Sequence, residues 1–117
     1  MILDLAFFCY PVADVPRARR FYEEILGLKL EHNFGDQWLE YNISGTTFAI
    51  TSMDTTHKPG LKGGLVAFEV DDLDAFVAQL KEKQVRLVRE TITTPVCRLA
   101  VISDPDGNEI IIHKRNA

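Results

Sequence analysis

One strand-then-helix pattern occurs twice in this 117-residue chain, and that repeat constrains the fold more than any other feature. At an offset of 58 residues Tyr10 falls on Phe68, Val12 on Val70, Asp14 on Asp72, Val15 on Leu73 and Ala18 on Phe76. In each copy an apolar run leads to an aspartate placed to cap a helix, and apolar residues then recur at helical spacing. A supersecondary unit of this size has an apolar sheet face that its counterpart must cover. The repeat therefore predicts one domain over 1–117, made of module 1 (about 1–51), a linker (52–64) and module 2 (about 65–117).

Within module 1, "LAFFCYPV" (5–12) is too short for a helix apolar all round and predicts a strand buried on both faces. Asp14 as N-cap, Pro16 in the first turn, and Val15, Ala18, Phe21, Tyr22 and Ile25 predict a helix closed by Gly27, about 12 residues long. "LKLEHNF" (28–34), "QWLEYNI" (37–43) and "TTFAIT" (46–51) read as strands separated by "GD" and "SG" turns. The segment "SMDTTHKPGLKGG" (52–64) has no periodicity. Beyond it the pattern restarts: strand 65–70, Asp72 as N-cap, a helix marked by Leu73, Phe76, Val77 and Leu80 to about Lys83, then strands at 85–92, 97–103 and 109–114. Before the last strand, Asp104-Pro105-Asp106-Gly107 is a turn whose proline presets the backbone and whose glycine accepts a positive φ.

At 46% hydrophobic residues the chain has enough apolar material for a core without disulfides. Cys9 and Cys97 show no CxxC spacing and read as reduced thiols of an intracellular protein. A net charge of -4 and a pI near 5.3 argue against nucleic acid as a partner, and "RARR" at 17–20 reads as a solvated helix face. "MILDLAFF" lacks the basic region and cleavage site of a leader, and no run approaches the roughly 20 apolar residues of a membrane helix. The expectation is a soluble cytoplasmic protein with no membrane partner. No nucleophile elbow, Ser-His-Asp order or glycine-rich phosphate loop is present.

"PVADVPRARRFYEEILGL" in the first half, with "AFEVDDLDAFVAQLKEK" and "DPDGNEI" in the second, resembles the vicinal oxygen chelate superfamily. That superfamily contains glyoxalase I, extradiol dioxygenases and the bleomycin- and fosfomycin-resistance proteins. The resemblance covers nearly the whole chain. It implies an α+β fold in which two tandem βαβββ modules form a curved mixed sheet with helices on the outer face. In the family's metalloenzymes the ion sits on the concave surface, held by one residue from the first and one from the last strand of each half. Here those positions, seven before each capping aspartate and four after each turn glycine, are Phe7, Leu65, Ala49 and Ile111. None of these side chains offers a lone pair to a divalent ion, so the expectation is no metal and no cofactor.

Strand alternation turns Ile110 and Ile112 toward the helix layer and sets Glu109, Ile111 and His113 on the concave face. The same parity places Cys9 beside Phe7, and Ala67 and Glu69 beside Leu65; the facing of Trp38 and of Cys97 is left open. The first functional reading is a metal-free protein binding a small apolar or aromatic molecule through Phe7, Cys9, Trp38, Ala49, Leu65, Glu69, Cys97, Ile111 and His113. Its rival is a small-molecule enzyme of lyase or dioxygenase type. That enzyme would use Cys9, Glu69, Cys97 and His113 as displaced metal ligands, or Glu69 or His113 as acid or base, with the Glu69 pKa raised by burial. A third reading fills the cleft with side chains and leaves a dimerisation module. Sheet edges and apolar surface predict a homodimer.

Overall fold

The structure is a computed structural model and describes residues 1, 3, 5–60 and 64–116. Two compact units divide the chain, Met1–Leu61 and Lys62–Ala117. Module 1 contains β1 (Phe8–Pro11), α1 (Val15–Arg19) running on into a π-helical turn (Arg20–Ile25), β2 (Leu30–Phe34), β3 (Trp38–Ile43) and β4 (Thr46–Thr51). Module 2 contains β5 (Val66–Glu69), α2 (Leu73–Glu82), β6 (Arg86–Thr93), β7 (Cys97–Ser103) and β8 (Glu109–Arg115). The sheets have the orders β1-β4-β3-β2 and β5-β8-β7-β6. In each, the first strand runs parallel to the last and the remaining pairs are antiparallel. This is the α+β fold of two tandem βαβββ modules that the resemblance implied.

Both predicted caps form in matching geometry. Asp14, extended at φ -127°, accepts the Arg17 N–H at 3.0 Å; Asp72, at φ -135°, accepts the Ala75 N–H at 3.1 Å. Each satisfies an amide that the first helical turn leaves without a partner. The predicted first helix differs in kind beyond Arg19, where the Leu26 N–H reaches back five residues to the Phe21 carbonyl at 2.9 Å. A widened turn lets the consecutive residues Phe21 and Tyr22 both bury, at 4% and 0% exposure, their rings edge-on at 5.0 Å. The turn is also tied to β3. Glu23 accepts Arg19 Nε at 2.7 Å and the Tyr41 hydroxyl at 2.9 Å on one oxygen. The Arg19 bond holds the Glu23 carboxyl below the usual carboxylate range against the pull of burial, and Tyr41 adds to it.

On the helix side, module 1 buries Tyr10, Leu39, Tyr41, Phe48 and Ile50 beneath Val15, Ala18, Phe21 and Tyr22. Module 2 buries Ala100, Ile102, Ile110 and Ile112 beneath Leu73, Val77 and Leu80. Ile110 and Ile112 are fully buried while Ile111 and His113 are half-buried, the alternation expected of β8. The first strand differs from expectation. It begins at Phe8 rather than residue 5, because β4 offers cross-strand partners only to Phe8–Pro11, and the run is covered on one side only. Leu5 and Phe7 stay exposed.

The 104–108 turn is structural, as expected: Asp104 Oδ1 accepts the Asp106 and Asn108 N–H groups at 2.9 and 2.8 Å, and Gly107 sits at φ 89°. Among the described residues no helix is long and apolar enough to cross a membrane.

Candidate ligand-binding faces

Each sheet has a second face, turned away from its own helix, and the register states what stands there. In module 1 Cys9 lies opposite Ala49, Ala49 opposite Glu40, Glu40 opposite His32, and Trp38 between Thr51 and Phe34. Trp38, whose facing alternation alone left open, therefore joins Cys9 and Ala49. Phe7 sits just before β1 and meets the Trp38 indole edge-on, ring centroids 5.3 Å apart at 87°. The indole N–H donates to Glu40 Oε2 at 2.8 Å, which fixes the ring's direction. Sequence reasoning missed His32 and Phe34, whose rings lie 5.8 Å apart on this face. The signal lay in the β2–β3 hairpin, where pairing Phe34 with Trp38 across the "GD" turn brings both to one side.

In module 2 Ala67 lies opposite Ile111 and Glu69 opposite His113; across β7, Val101 faces Ile111, Leu99 faces His113 and Cys97 faces Arg115. Cys97 therefore does share the face of His113. It is buried, however, with Sγ 3.3 Å from Thr94 Oγ1, in a turn where that hydroxyl also accepts the Cys97 N–H at 3.0 Å. Of the candidate residues, Ala49 and Cys97 are buried, Cys9, Trp38, Ile111 and His113 half-buried, and Phe7, Leu65 and Glu69 exposed.

The surroundings of two titratable candidates bear on the rival, enzymatic reading. Burial, helped by Asp54, pushes the Cys9 thiol up to about 11, so it is a thiol and not a thiolate at neutral pH. Glu69 is not a buried carboxyl with a raised pKa. Its Oε2 accepts the Arg115 N–H at 2.7 Å and its Oε1 lies 2.5 Å from His113 Nδ1. The Arg115 bond first, and the His113 bond second, hold the carboxyl below the usual carboxylate range, which leaves it ionised. Among the described residues no three His, Cys, Asp or Glu side chains gather to hold an ion, so the displaced set of Cys9, Glu69, Cys97 and His113 does not assemble.

The sequence matches the model of the Glyoxalase/Bleomycin resistance protein/Dioxygenase superfamily over residues 4–112. Among solved structures the chain is similar to TnmS3, an antibiotic binding protein from Streptomyces sp. CB03234, with 32% identity, 98% of each chain covered and a TM-score of 0.83. It is also similar to a glyoxalase/bleomycin resistance protein from Streptomyces sp. CB03234, at 33% identity, 93% of this chain and 98% of the other covered, and a TM-score of 0.78. Lactoylglutathione lyase from Agrobacterium tumefaciens shares the fold at 16% identity, 95% and 92% coverage and a TM-score of 0.77. No curated protein matched the chain.

Proposed function

The chain belongs to the Glyoxalase/Bleomycin resistance protein/Dioxygenase superfamily, and on that premise we propose that it is a metal-free protein that binds a small apolar or aromatic molecule against the sheet faces turned away from its helices. The observation that carries the proposal is the Phe7–Trp38 edge-to-face pair, in which Phe7 is 45% exposed. A pre-oriented aromatic corner offers a planar ligand a stacking surface with little ordering cost, each aromatic contact contributing about 0.5–1.5 kcal/mol beyond area burial. The antibiotic-binding role of TnmS3 supports a ligand of that kind. Apolar residues at Phe7, Ala49, Leu65 and Ile111 support the metal-free character, since none can donate to an ion. That both four-stranded sheets are open rather than closed supports a homodimer, which light scattering would register as about twice the 13.2 kDa chain mass.

Isothermal calorimetry with 2-methoxynaphthalene tests the binding proposal. One saturable site is expected in the wild type, with loss in Trp38→Ala while the circular dichroism spectrum stays native. Absence of heat in the wild type refutes it. Titration with zinc and manganese should be flat, and a sub-micromolar site would overturn the metal-free reading.

A further inference from the structure

The side chains of Glu69 and His113 form a polar pair on module 2's free face whose atoms point to a particular ligand chemistry. Parallel pairing of β5 with β8 sets them opposite each other, 44 residues apart in sequence, with His113 Nδ1 2.5 Å from Glu69 Oε1. The second carboxylate oxygen is committed to the Arg115 N–H at 2.7 Å, so the carboxylate cannot swing away without leaving that amide unpaired. An ionised carboxylate only accepts hydrogen bonds, so Nδ1 carries a proton, and in the neutral ring Nε2 is then the unprotonated nitrogen. Nε2 has no hydrogen-bond partner among the described residues, and the ring is 25% exposed. Around it on the same face stand the side chains of Ala67, Leu99 and Ile111, with nothing polar to give.

We infer that His113 Nε2 is a hydrogen-bond acceptor reserved for a hydroxyl on the ligand's aromatic ring, with Glu69 as the positioning residue that fixes the imidazole tautomer. This deepens, and rests on, the proposal that the free sheet faces bind an aromatic molecule. An ammonium ligand fits less well, because both Glu69 oxygens are already engaged and the Arg115 guanidinium beside them repels a cation. At Nε2 itself a carboxylate ligand meets an acceptor where it needs a donor. An aromatic hydroxyl supplies the missing donor while its ring lies on the apolar neighbours.

Paired probes test the inference by calorimetry: 2-naphthol, which donates, and 2-methoxynaphthalene, which has the same ring system and cannot. Wild type should bind the naphthol about tenfold more tightly, the upper range of one net hydrogen bond. In His113→Phe the preference should vanish, the two probes then binding with equal affinity. In Glu69→Gln it should shrink, because an amide can face Nδ1 as donor or acceptor and no longer selects one tautomer. The ring nitrogen chemical shifts of His113, recorded at pH 8 on wild-type protein, should show a protonated Nδ1 and an unprotonated Nε2 that moves when 2-naphthol is added. This readout does not depend on either variant folding. Equal affinity for the two probes, or a proton on Nε2 of the neutral ring, overturns the inference while the binding proposal stands; failure of both probes to bind overturns both.

Discussion

Modules 1 and 2 share strand order, a parallel pairing of first and last strands, and an aspartate cap with the same donor three residues on, yet their free faces carry different chemistry. Module 1 displays rings: Phe7 against Trp38, and His32 against Phe34. Module 2 displays aliphatic side chains, Ala67, Leu99, Val101 and Ile111, beside an ionised carboxylate and its imidazole partner. The difference shows how a duplicated backbone diverges. A strand sends alternate residues to opposite faces, so one set can be exchanged for a new purpose while the set beneath the helix continues to hold the module together. The helix-facing layers differ only in filling, aromatic in module 1 and isoleucine-rich in module 2, and both are buried.

Core truncation breaks the comparison most forcefully. Phe48, 2% exposed among Tyr10, Tyr22 and Tyr41, should lose about 3–5 kcal/mol on replacement by alanine. Ile112→Val in the equivalent layer should lose about 0.5–1.5 kcal/mol. Urea melts measure both, and a loss below that range at Phe48 would show that module 1 does not depend on its aromatic layer. The caps sharpen the likeness: Asp14→Ala and Asp72→Ala should each cost about 1 kcal/mol, equal within error, because their geometry is the same. A twofold disparity would reveal that the longer, purely α-helical α2 tolerates the loss differently from an α1 that runs into a π turn.

Acidification should reveal a further contrast. Glu23 in module 1 and Glu69 in module 2 both have carboxyls held below the usual range. For a group lowered in the folded state, stability is fully present above the unfolded value and is lost as pH falls through the folded one. Each therefore steepens the acid limb of the stability curve. Glu23→Gln should flatten that limb more than Glu69→Gln, since Glu23 is partly buried with a bond from Arg19 and another from Tyr41. The reverse order, measured by melts from neutral pH into the acid range, would place the stronger electrostatic anchor in module 2. The smallest effect is expected at Arg98, which bonds Asp74 at 2.8 Å on the exposed rim of α2. Arg98→Ala should leave the melting midpoint unmoved within error, because solvent screens such pairs.

Much of this was legible along the chain. The 58-residue offset, both aspartate caps, the Asp104–Asn108 turn and the alternation of Ile110, Ile111 and Ile112 follow from interactions within a few residues, and the structure contains each of them. Phe34, His32 and the facing of Trp38 lay one step further, since they depend on the pairing of β2 with β3. The start of β1 was misjudged because an apolar run does not reveal where its neighbouring strand ends.

The sequence by itself determined the repeat, the order of strands and helices, and the lack of metal donors at Phe7, Ala49, Leu65 and Ile111. Backbone periodicity, capping and side-chain chemistry are local properties, and a chain states them in one dimension. Only the tertiary structure decided that Phe7 meets Trp38, that Cys97 is buried against Thr94, and that Glu69 is an exposed carboxylate bonded to Arg115 and His113 rather than a buried acid. Those outcomes depend on which atoms stand within hydrogen-bond reach across separate strands and on how far water is excluded from them. For Glu69 the deciding groups were the Arg115 amide and the His113 ring, brought to it by a parallel register between strands that the sequence keeps far apart.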